Sequence, residues 1–294
     1  MPTLRIFAPA KINVFLRIVG RRSDGYHLLD SLMIPVSLCD ELHVEVDGKK
    51  SNTEESAARF TLTCDDPSIP SDETNLAYRA AVLLLREADV QATVAIHLHK
   101  KIPAGAGLGG GSSNAAAVLK SLNALLDLRF PEERLCQIGA RLGADVPFFV
   151  PCHPSHVQGV GEILTPVPPL PHRWLVLVIP PLSVSTPWAY QRFDELSSPV
   201  ASFSTFSLEP SQWPSSAQLV NDLEQAVLPE YPQIAGVKSM LLDLKAEGAL
   251  MSGSGSSVFG IFQDHTVAEQ AVTVLERHGK TFLVEPLLGP PLPA

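Results

Sequence analysis

No stretch of this chain approaches the roughly 18 consecutive apolar residues that a membrane-spanning helix needs, so insertion into a bilayer is not expected. Cysteine is also scarce. Cys39, Cys64, Cys136 and Cys152 are the only four in 294 residues, and no two stand in a C-x-x-C pair. That spacing argues against a zinc site and against a disulfide framework, leaving thiols expected to be reduced and cytosolic. Positive charge is thin: 22 Lys and Arg face 31 Asp and Glu, a formal net charge of −9, with no Lys/Arg-rich run. A nucleic-acid or anionic-membrane partner is therefore not expected, and any anionic ligand must be met by local groups. The N-terminus enters strand-like Leu4-Arg5-Ile6-Phe7 without the apolar segment of a secretion signal. A bacterial cytoplasmic protein is the expectation, although a mature plastid form stripped of its leader would read the same. There is no internal repeat, and no His/Asp/Glu cluster has metal-ligand spacing.

What the chain does have is glycine concentrated in one place. The stretch Pro103-Ala-Gly-Ala-Gly-Leu-Gly-Gly-Gly-Ser-Ser-Asn114 carries five glycines within residues 105–111. Upstream, Val94, Ile96 and Leu98 alternate with Ala95, His97 and His99, the period of a half-buried strand. Downstream, Ala115, Val118, Leu119, Leu122, Leu125 and Leu126 share one helical face, which predicts a helix starting near Ser112 or Ser113. Glycines at such a junction let backbone N–H groups turn toward one point, and the helix start adds partial positive charge. A phosphate is the expected occupant. No Lys follows the glycines as a Walker loop requires, so that class is excluded. A G-x-G-x-x-G is present at Gly105, Gly107 and Gly110, but the next helix leads to Pro131-Glu-Glu-Arg-Leu135 and a second amphipathic helix ending at Gly143. A dinucleotide fold would lead promptly to another strand ending in an acid. The V-A-I-K, H-R-D and D-F-G marks of protein kinases are missing. A flexible linker would not be bounded so closely by a strand and an apolar helix.

The order of elements predicts an α+β fold. Strands are expected at residues 12–19, 41–46, 60–64 and 93–99, with a helix at 75–87. The proline cluster at 165–171 can be neither helix nor central strand and marks a boundary between two domains, 1–168 and 169–294. Beyond it, the continuous apolar run at 174–179 is the pattern of a strand covered on both faces. Residues 197–216 are Ser/Pro-rich and expected to be irregular. Helices are predicted at 217–227, 234–247 and 267–278, strands at 257–262 and 281–285, and a loosely held tail after Leu288.

Four further segments carry chemistry, each with a plainer alternative. In Ala8-Pro-Ala-Lys-Ile-Asn13, Lys11 and Asn13 project to one face of a strand, though a lone strand Lys is usually a solvated edge residue. Arg22-Ser-Asp-Gly-Tyr-His27 offers an aromatic and an imidazole, but also reads as a simple hairpin turn. Asp145, in Leu142-Gly-Ala-Asp-Val-Pro147, is either a functional carboxylate or a cap. Met251-Ser-Gly-Ser-Gly-Ser-Ser257 is either a second small-residue loop at a site or an ordinary turn.

Taken in order, Ala-Pro-Ala-Lys-Ile-Asn, Pro-x-Gly-x-Gly-Leu-Gly-Gly-Gly-Ser-Ser-Asn, Gly-Ala-Asp-Val-Pro and Gly-Ser-Gly-Ser-Ser resemble the GHMP-superfamily kinases. More narrowly, Asp24-Gly-Tyr-His27, Gly159-Val-Gly-Glu162 and Asn221-Asp-Leu-Glu224 resemble the branch acting on a cytidine-diphosphate-linked methylerythritol. The resemblance spans residues 7–262. It implies a two-domain fold, with an N-terminal ribosomal-protein-S5-domain-2-like domain, a C-terminal ferredoxin-like α/β domain and the active site in the cleft between them. It also implies ATP as co-substrate with Mg²⁺, and phosphorylation of a tertiary 2-hydroxyl in the non-mevalonate route to isoprenoid precursors. The alternative is another small-molecule GHMP kinase, acting on homoserine or mevalonate. By resemblance, the N-terminal domain binds ATP and the C-terminal one contributes to the substrate site. Asp145 would be the catalytic base and Lys11 its partner. Asn13, Tyr26, His27, Thr186 and Tyr190 would meet the substrate, with Tyr26 and Tyr190 on the two faces of the cytosine. Leu76, Lys100, Pro103, Ala104, Gly105, Ala106, Gly107, Leu108, Gly109, Gly110, Gly111, Ser112 and Ser113 would meet ATP. Mg²⁺ would be held mainly by phosphate oxygens and water, with a Ser hydroxyl. A monomer or weak homodimer is expected.

Overall fold

A computed structural model describes residues 1–50, 59–196 and 212–291. The first two strands form one long ribbon. β1 (Thr3–Arg21) and β2 (His27–Lys50) pair antiparallel from Thr3 opposite Glu45 to Arg21 opposite His27. The turn between them is closed by the Arg22 N–H on the Tyr26 carbonyl at 2.7 Å and by Asp24 Oδ1 accepting from the Tyr26 N–H at 3.2 Å. Asp-Gly-Tyr-His is thus a hairpin turn, as its plainer reading held, and the turn presents Tyr26 outward.

β2 is the spine of the first sheet. One end pairs with β4 (Gln91–His99) and the other with β5 (Ser155–Gly159); β3 (Phe60–Cys64) joins β4 in parallel and β6 (Ile163–Pro166) closes the far edge. Pro166 ends an edge strand, the place in a sheet where proline is tolerated. Four helices, α1 (Leu76–Ala88), α2 (Gly110–Leu125), α3 (Glu132–Ala140) and α4 (Val146–Phe149), bury Leu84, Leu119, Ile138 and Phe148 against Val44, Val94 and Leu98 of this sheet. Asn75 starts α1 by accepting the Ala77 N–H at 2.9 Å, and Asp89, at φ 51°, ends it.

The second sheet is antiparallel throughout, in the order β10 (Lys280–Val284), β7 (Trp174–Ile179), β9 (Val258–Phe262), β8 (Gly248–Met251). β7 has no solvent face. Leu175, Leu177 and Ile179 share a core with Ala10, Ile12 and Ile34 of the ribbon. Val176 and Val178 share another with α5 (Thr186–Leu196), α6 (Glu224–Val227), α7 (Pro232–Asp243) and α8 (His265–Leu275). That double covering is why the run carries no alternation. The two halves are stitched by main chain: Leu16 N–H donates to Val220 O at 2.8 Å, Asp222 N–H to Leu16 O at 2.9 Å, and Ser37 N–H to Glu285 O at 2.9 Å.

Several element boundaries differ from the sequence reading. α2 begins at Gly110 rather than Ser112 or Ser113, because Gly109 at φ 70° turns the chain into the helix two residues early. α3 stops at Ala140, short of Gly143. Residues 217–227 are not one helix: Val220 and Asp222 are spent pairing with β1, and only Glu224–Val227 coils. α7 ends at Asp243, and Lys245 at φ 73° turns the chain into β8, a strand the sequence reading lacks. Most of the irregular segment at 197–216 lies outside the described residues, as does the end of the tail.

Candidate active site

Between the two sheets lies a cleft of about 1390 Å³, walled by β1, the glycine loop before α2, Asp145, α5 and the loop between β8 and β9. Lys11 enters from β1 in the stretch that is buried on both faces, and its side chain is only 4% exposed. Its Nζ donates to Asn13 Oδ1 at 2.5 Å and stands 3.8 Å from Asp145 Oδ2. Burial pushes the Lys11 ammonium below the ordinary lysine pKa, and the nearby Asp145 charge offsets part of that fall. The solvated-edge reading of Lys11 is therefore wrong. Asp145 holds the N-cap position of α4 yet makes no capping hydrogen bond. About a third of its side chain remains open, at 32%, so the carboxylate is available to a ligand.

Asn13 is fully buried and fixes Lys11 from behind. Its Nδ2 donates to Ser31 Oγ at 2.9 Å, Ser31 Oγ donates to Phe15 O at 2.6 Å, and the Asn13 N–H donates to Ser252 Oγ at 3.2 Å. The amide of Asn13 is thus engaged by protein groups, although the residue also lines the cleft.

Two small-residue loops interlock beside this pair. Ser252 Oγ donates to Gly107 O at 3.1 Å, Ser257 N–H to Ala106 O at 3.2 Å, and Lys11 N–H to Leu108 O at 2.9 Å. A Cβ on Gly107 would lie 2.2 Å from the Ser252 carbonyl oxygen, and one on Gly109 would lie 2.8 Å from the Phe149 ring and 3.1 Å from Lys11 Cγ. Only a residue without a side chain permits these approaches. Asn221 holds the second loop from below, its Nδ2 donating to Met251 O and Gly253 O, each at 2.8 Å. Glu224 Oε1 accepts the Met251 N–H at 3.0 Å. The Asn221-Asp-Leu-Glu224 segment therefore works as a bracket under the site.

At the cradle end, residues 103–112, Leu76 and Lys100 line the cleft, whereas Ser113 lies beneath it, 1% exposed, its Oγ without a partner. The first turn of α2 has neither a side-chain cap nor an acidic residue, so its N–H groups are left for an anion. Lys100 is less free than the sequence suggested. Its ammonium is bound to Asp40, which also accepts the Lys101 and Ile102 N–H groups at 2.8 and 2.9 Å and Asn114 Nδ2 at 2.9 Å. Asp40 is fully buried, and no motif marked it.

At the opposite end stand Tyr26, His27, Thr186 and Tyr190. Tyr26 is 63% exposed on the hairpin turn. The rings of His27 and Tyr190 stack on each other at 4.8 Å and 28°, so one face of Tyr190 is already covered. Burial, then the charge of Asp145, raises the Tyr190 phenol above its ordinary range. Thr186 Oγ1 and Ser254 Oγ are 2.7 Å apart. All the candidate site residues except Ser113 therefore line one cleft. Sequence reasoning missed Arg21 and Asp194, which also line it. Asp194 was findable: Thr186, Tyr190 and Asp194 are spaced four apart, one face of a helix.

The chain matches two family models, "GHMP kinases N terminal domain" over residues 75–153 and "GHMP kinases C terminal" over residues 212–281. It is 40% identical over 281 residues to a 4-diphosphocytidyl-2-C-methyl-D-erythritol kinase of Citrifermentans bemidjiense, covering 94% of this chain and 96% of that one. A crystal structure of 4-(cytidine 5'-diphospho)-2C-methyl-D-erythritol kinase superposes with a TM-score of 0.76 at 36% identity, covering 96% and 99% of the two chains. A homoserine kinase from Cytophaga hutchinsonii superposes with a TM-score of 0.73 over 100% and 97%, but at 19% identity, a likeness of fold alone.

Proposed function

The chain belongs to the 4-diphosphocytidyl-2-C-methyl-D-erythritol kinases of the GHMP family, and from that premise we propose that Asp145 and Lys11 carry its chemistry. The enzyme transfers a phosphoryl group from ATP to the 2-hydroxyl of 4-diphosphocytidyl-2-C-methyl-D-erythritol, a step in the non-mevalonate route to isoprenoid precursors. The observation that carries the proposal is the Lys11–Asp145 pair, held at 3.8 Å beside the glycine loop. Asp145 accepts the hydroxyl proton. The Lys11 ammonium keeps that carboxylate ionised and stabilises charge on the reacting oxygen and phosphoryl group. Phosphoryl transfer otherwise asks chiefly for positioning and charge neutralisation. The loop from residue 103 to 112, with Leu76 and Lys100, holds ATP, and Tyr26, His27, Thr186 and Tyr190 hold the cytidyl end, with Asn13 beside the methylerythritol.

Mg²⁺ fits this donor set. The uncapped first turn of α2 leaves N–H groups for phosphate, and Ser112 lines the cleft there. Among the described residues no group of three or more His, Cys, Asp or Glu could hold a metal ion, so phosphate oxygens, water and Ser112 would hold it. Bound with ATP, it would neutralise phosphate charge. The reading also divides the chain at 168/169 into an ATP-binding half and a half completing the substrate site, which the two separate sheets support. It further takes the protein to be a bacterial cytoplasmic monomer or weak homodimer; no described helix is long and apolar enough to cross a membrane.

Purified protein given ATP, Mg²⁺ and the cytidyl substrate should release ADP, while homoserine and mevalonate in parallel assays should give none. Release with one of those two alone would overturn the substrate assignment. The pH profile supplies a second test. Because burial lowers the Lys11 pKa, kcat/KM should fall on the alkaline side below the ordinary lysine value, as the ammonium loses its proton. A limb at or above that value would remove Lys11 from the mechanism.

A further inference from the structure

Beyond the catalytic pair, the far end of the cleft contains a polar contact that no part of the phosphoryl transfer uses. His27, from β2, and Asp194, from the last turn of α5, meet with Nε2 and Oδ1 at 2.7 Å. The other carboxylate oxygen of Asp194 is held by Arg21 Nη1 at 3.0 Å, and Arg21 Nε in turn donates to Gly25 O at 3.0 Å. The carboxylate is gripped from two sides, and the His27 ring is pressed flat on Tyr190. Its side chain is only 11% exposed.

An ionised carboxylate can only accept. At 2.7 Å it therefore requires the proton on Nε2, and in a neutral imidazole the other nitrogen, Nδ1, is then an acceptor. We propose that Asp194 is a positioning residue that fixes His27 in this tautomer, so that Nδ1 accepts a hydrogen bond from an exocyclic amino group and the site selects an aminopyrimidine over an oxopyrimidine. Cytosine presents an amino donor at the position where uracil presents a carbonyl acceptor. An acceptor held against that carbonyl leaves two lone pairs facing each other beside an imidazole only 11% exposed, the arrangement by which polar sites reject an analogue most strongly. Arg21 and Tyr190 complete the device by preventing the Asp194 carboxylate and the His27 ring from turning away. This inference rests on the reading of the cleft as a cytidyl site.

The tautomer can be read without substrate. In the full chain labelled with ¹⁵N-histidine, His27 should show a protonated Nε2 and a bare Nδ1 at neutral pH, and Asp194→Ala should mix the two tautomers. A doubly protonated ring or an Nδ1–H tautomer in the unsubstituted protein would overturn the proposal. In steady-state assays, Asp194→Ala should raise KM for the cytidyl substrate by roughly tenfold, with a smaller change in kcat. It should also narrow the preference over the uridyl counterpart by a similar factor. Asp194→Asn, whose amide oxygen still accepts from Nε2, should recover most of both and guards against a folding defect in the Ala variant. Unchanged KM and preference in Asp194→Ala would refute the role of Asp194 while leaving the kinase reading intact. A wild-type protein inactive on the cytidyl substrate would instead overturn both.

Discussion

Asp145→Asn should lower kcat by about 10²- to 10⁴-fold, the usual worth of a positioned general base, while ATP affinity stays close to that of the unsubstituted protein. The two effects separate because of where Asp145 sits. Its carboxylate caps nothing and is partly open to the cleft, so an amide of the same shape removes a proton acceptor without unravelling α4. Among the described residues the ion-pair partner of Asp145 is Lys11 and not a loop residue, so the phosphate cradle keeps its donors. The substitution additionally removes the charge that offsets the burial of Lys11, and the ammonium should then lose its proton at still lower pH. Steady-state rates with an independent titration of ATP binding would decide the matter. Near-normal turnover would remove Asp145 from the chemistry, and lost ATP binding would show that it supports the loop.

Gly107→Ala should damage both stability and catalysis. The new methyl would lie 2.2 Å from the Ser252 carbonyl oxygen, on a backbone at φ 75°. Neither neighbour can yield cheaply. Ser252 is tied to Gly107 O and Asn13, and Asn221 clamps the residues on either side of it. Left-handed strain and overpacking together should cost about 3 kcal/mol, a fall in Tm of roughly 6–12 °C by the scaling of mid-sized domains. The displaced loop should lower kcat/KM by about 10²-fold, since shifts near 1 Å at a positioned site cost that much. Wild-type melting and rate together would show that the two loops are not interlocked.

The site was more legible in the sequence than the frame that carries it. The glycine loop announced itself because a period-two strand ends at it and a helical face begins after it, and both periods survive in β4 and α2. Of β2, only residues 41–46 were expected as a strand. Residues 30–36 are all buried, because the ribbon has helices of one half on one side and the second sheet on the other, and burial on both faces erases alternation. The same covering hides Lys11 and Asn13, whose polar side chains argued for an edge while their tertiary partners argued otherwise. Asp40 could not be found from its neighbours in sequence, since the groups it binds are about sixty to seventy residues away. The segment at 217–227 was misread for a related reason: Ala217, Leu219, Leu223 and Ala226 make it look helical in composition, but the Asn221 amide is committed to the loop at 251–253. α5 went unread although Pro187 near its start is where a helix tolerates proline, and its face toward the cleft carries Thr186, Tyr190 and Asp194.

The stitching of β1 and β2 to the C-terminal half bears on how the enzyme is made. Leu16 finds its main-chain partners at Val220 and Asp222, Ser37 and Pro35 find theirs at Glu285 and Leu287, and the Asn13 N–H donates to the Ser252 hydroxyl. A ribosome delivers the Lys11 strand more than 200 residues before these partners, so a growing chain can close the core of the first sheet while the back wall of the cleft is still untranslated. Kinase activity is thereby tied to synthesis of the C-terminal half, and a chain cut short before Ser252 keeps the hydrogen bonds of Lys11 to Asn13 and of Asn13 to Ser31 but lacks the hydroxyl that holds the Asn13 N–H.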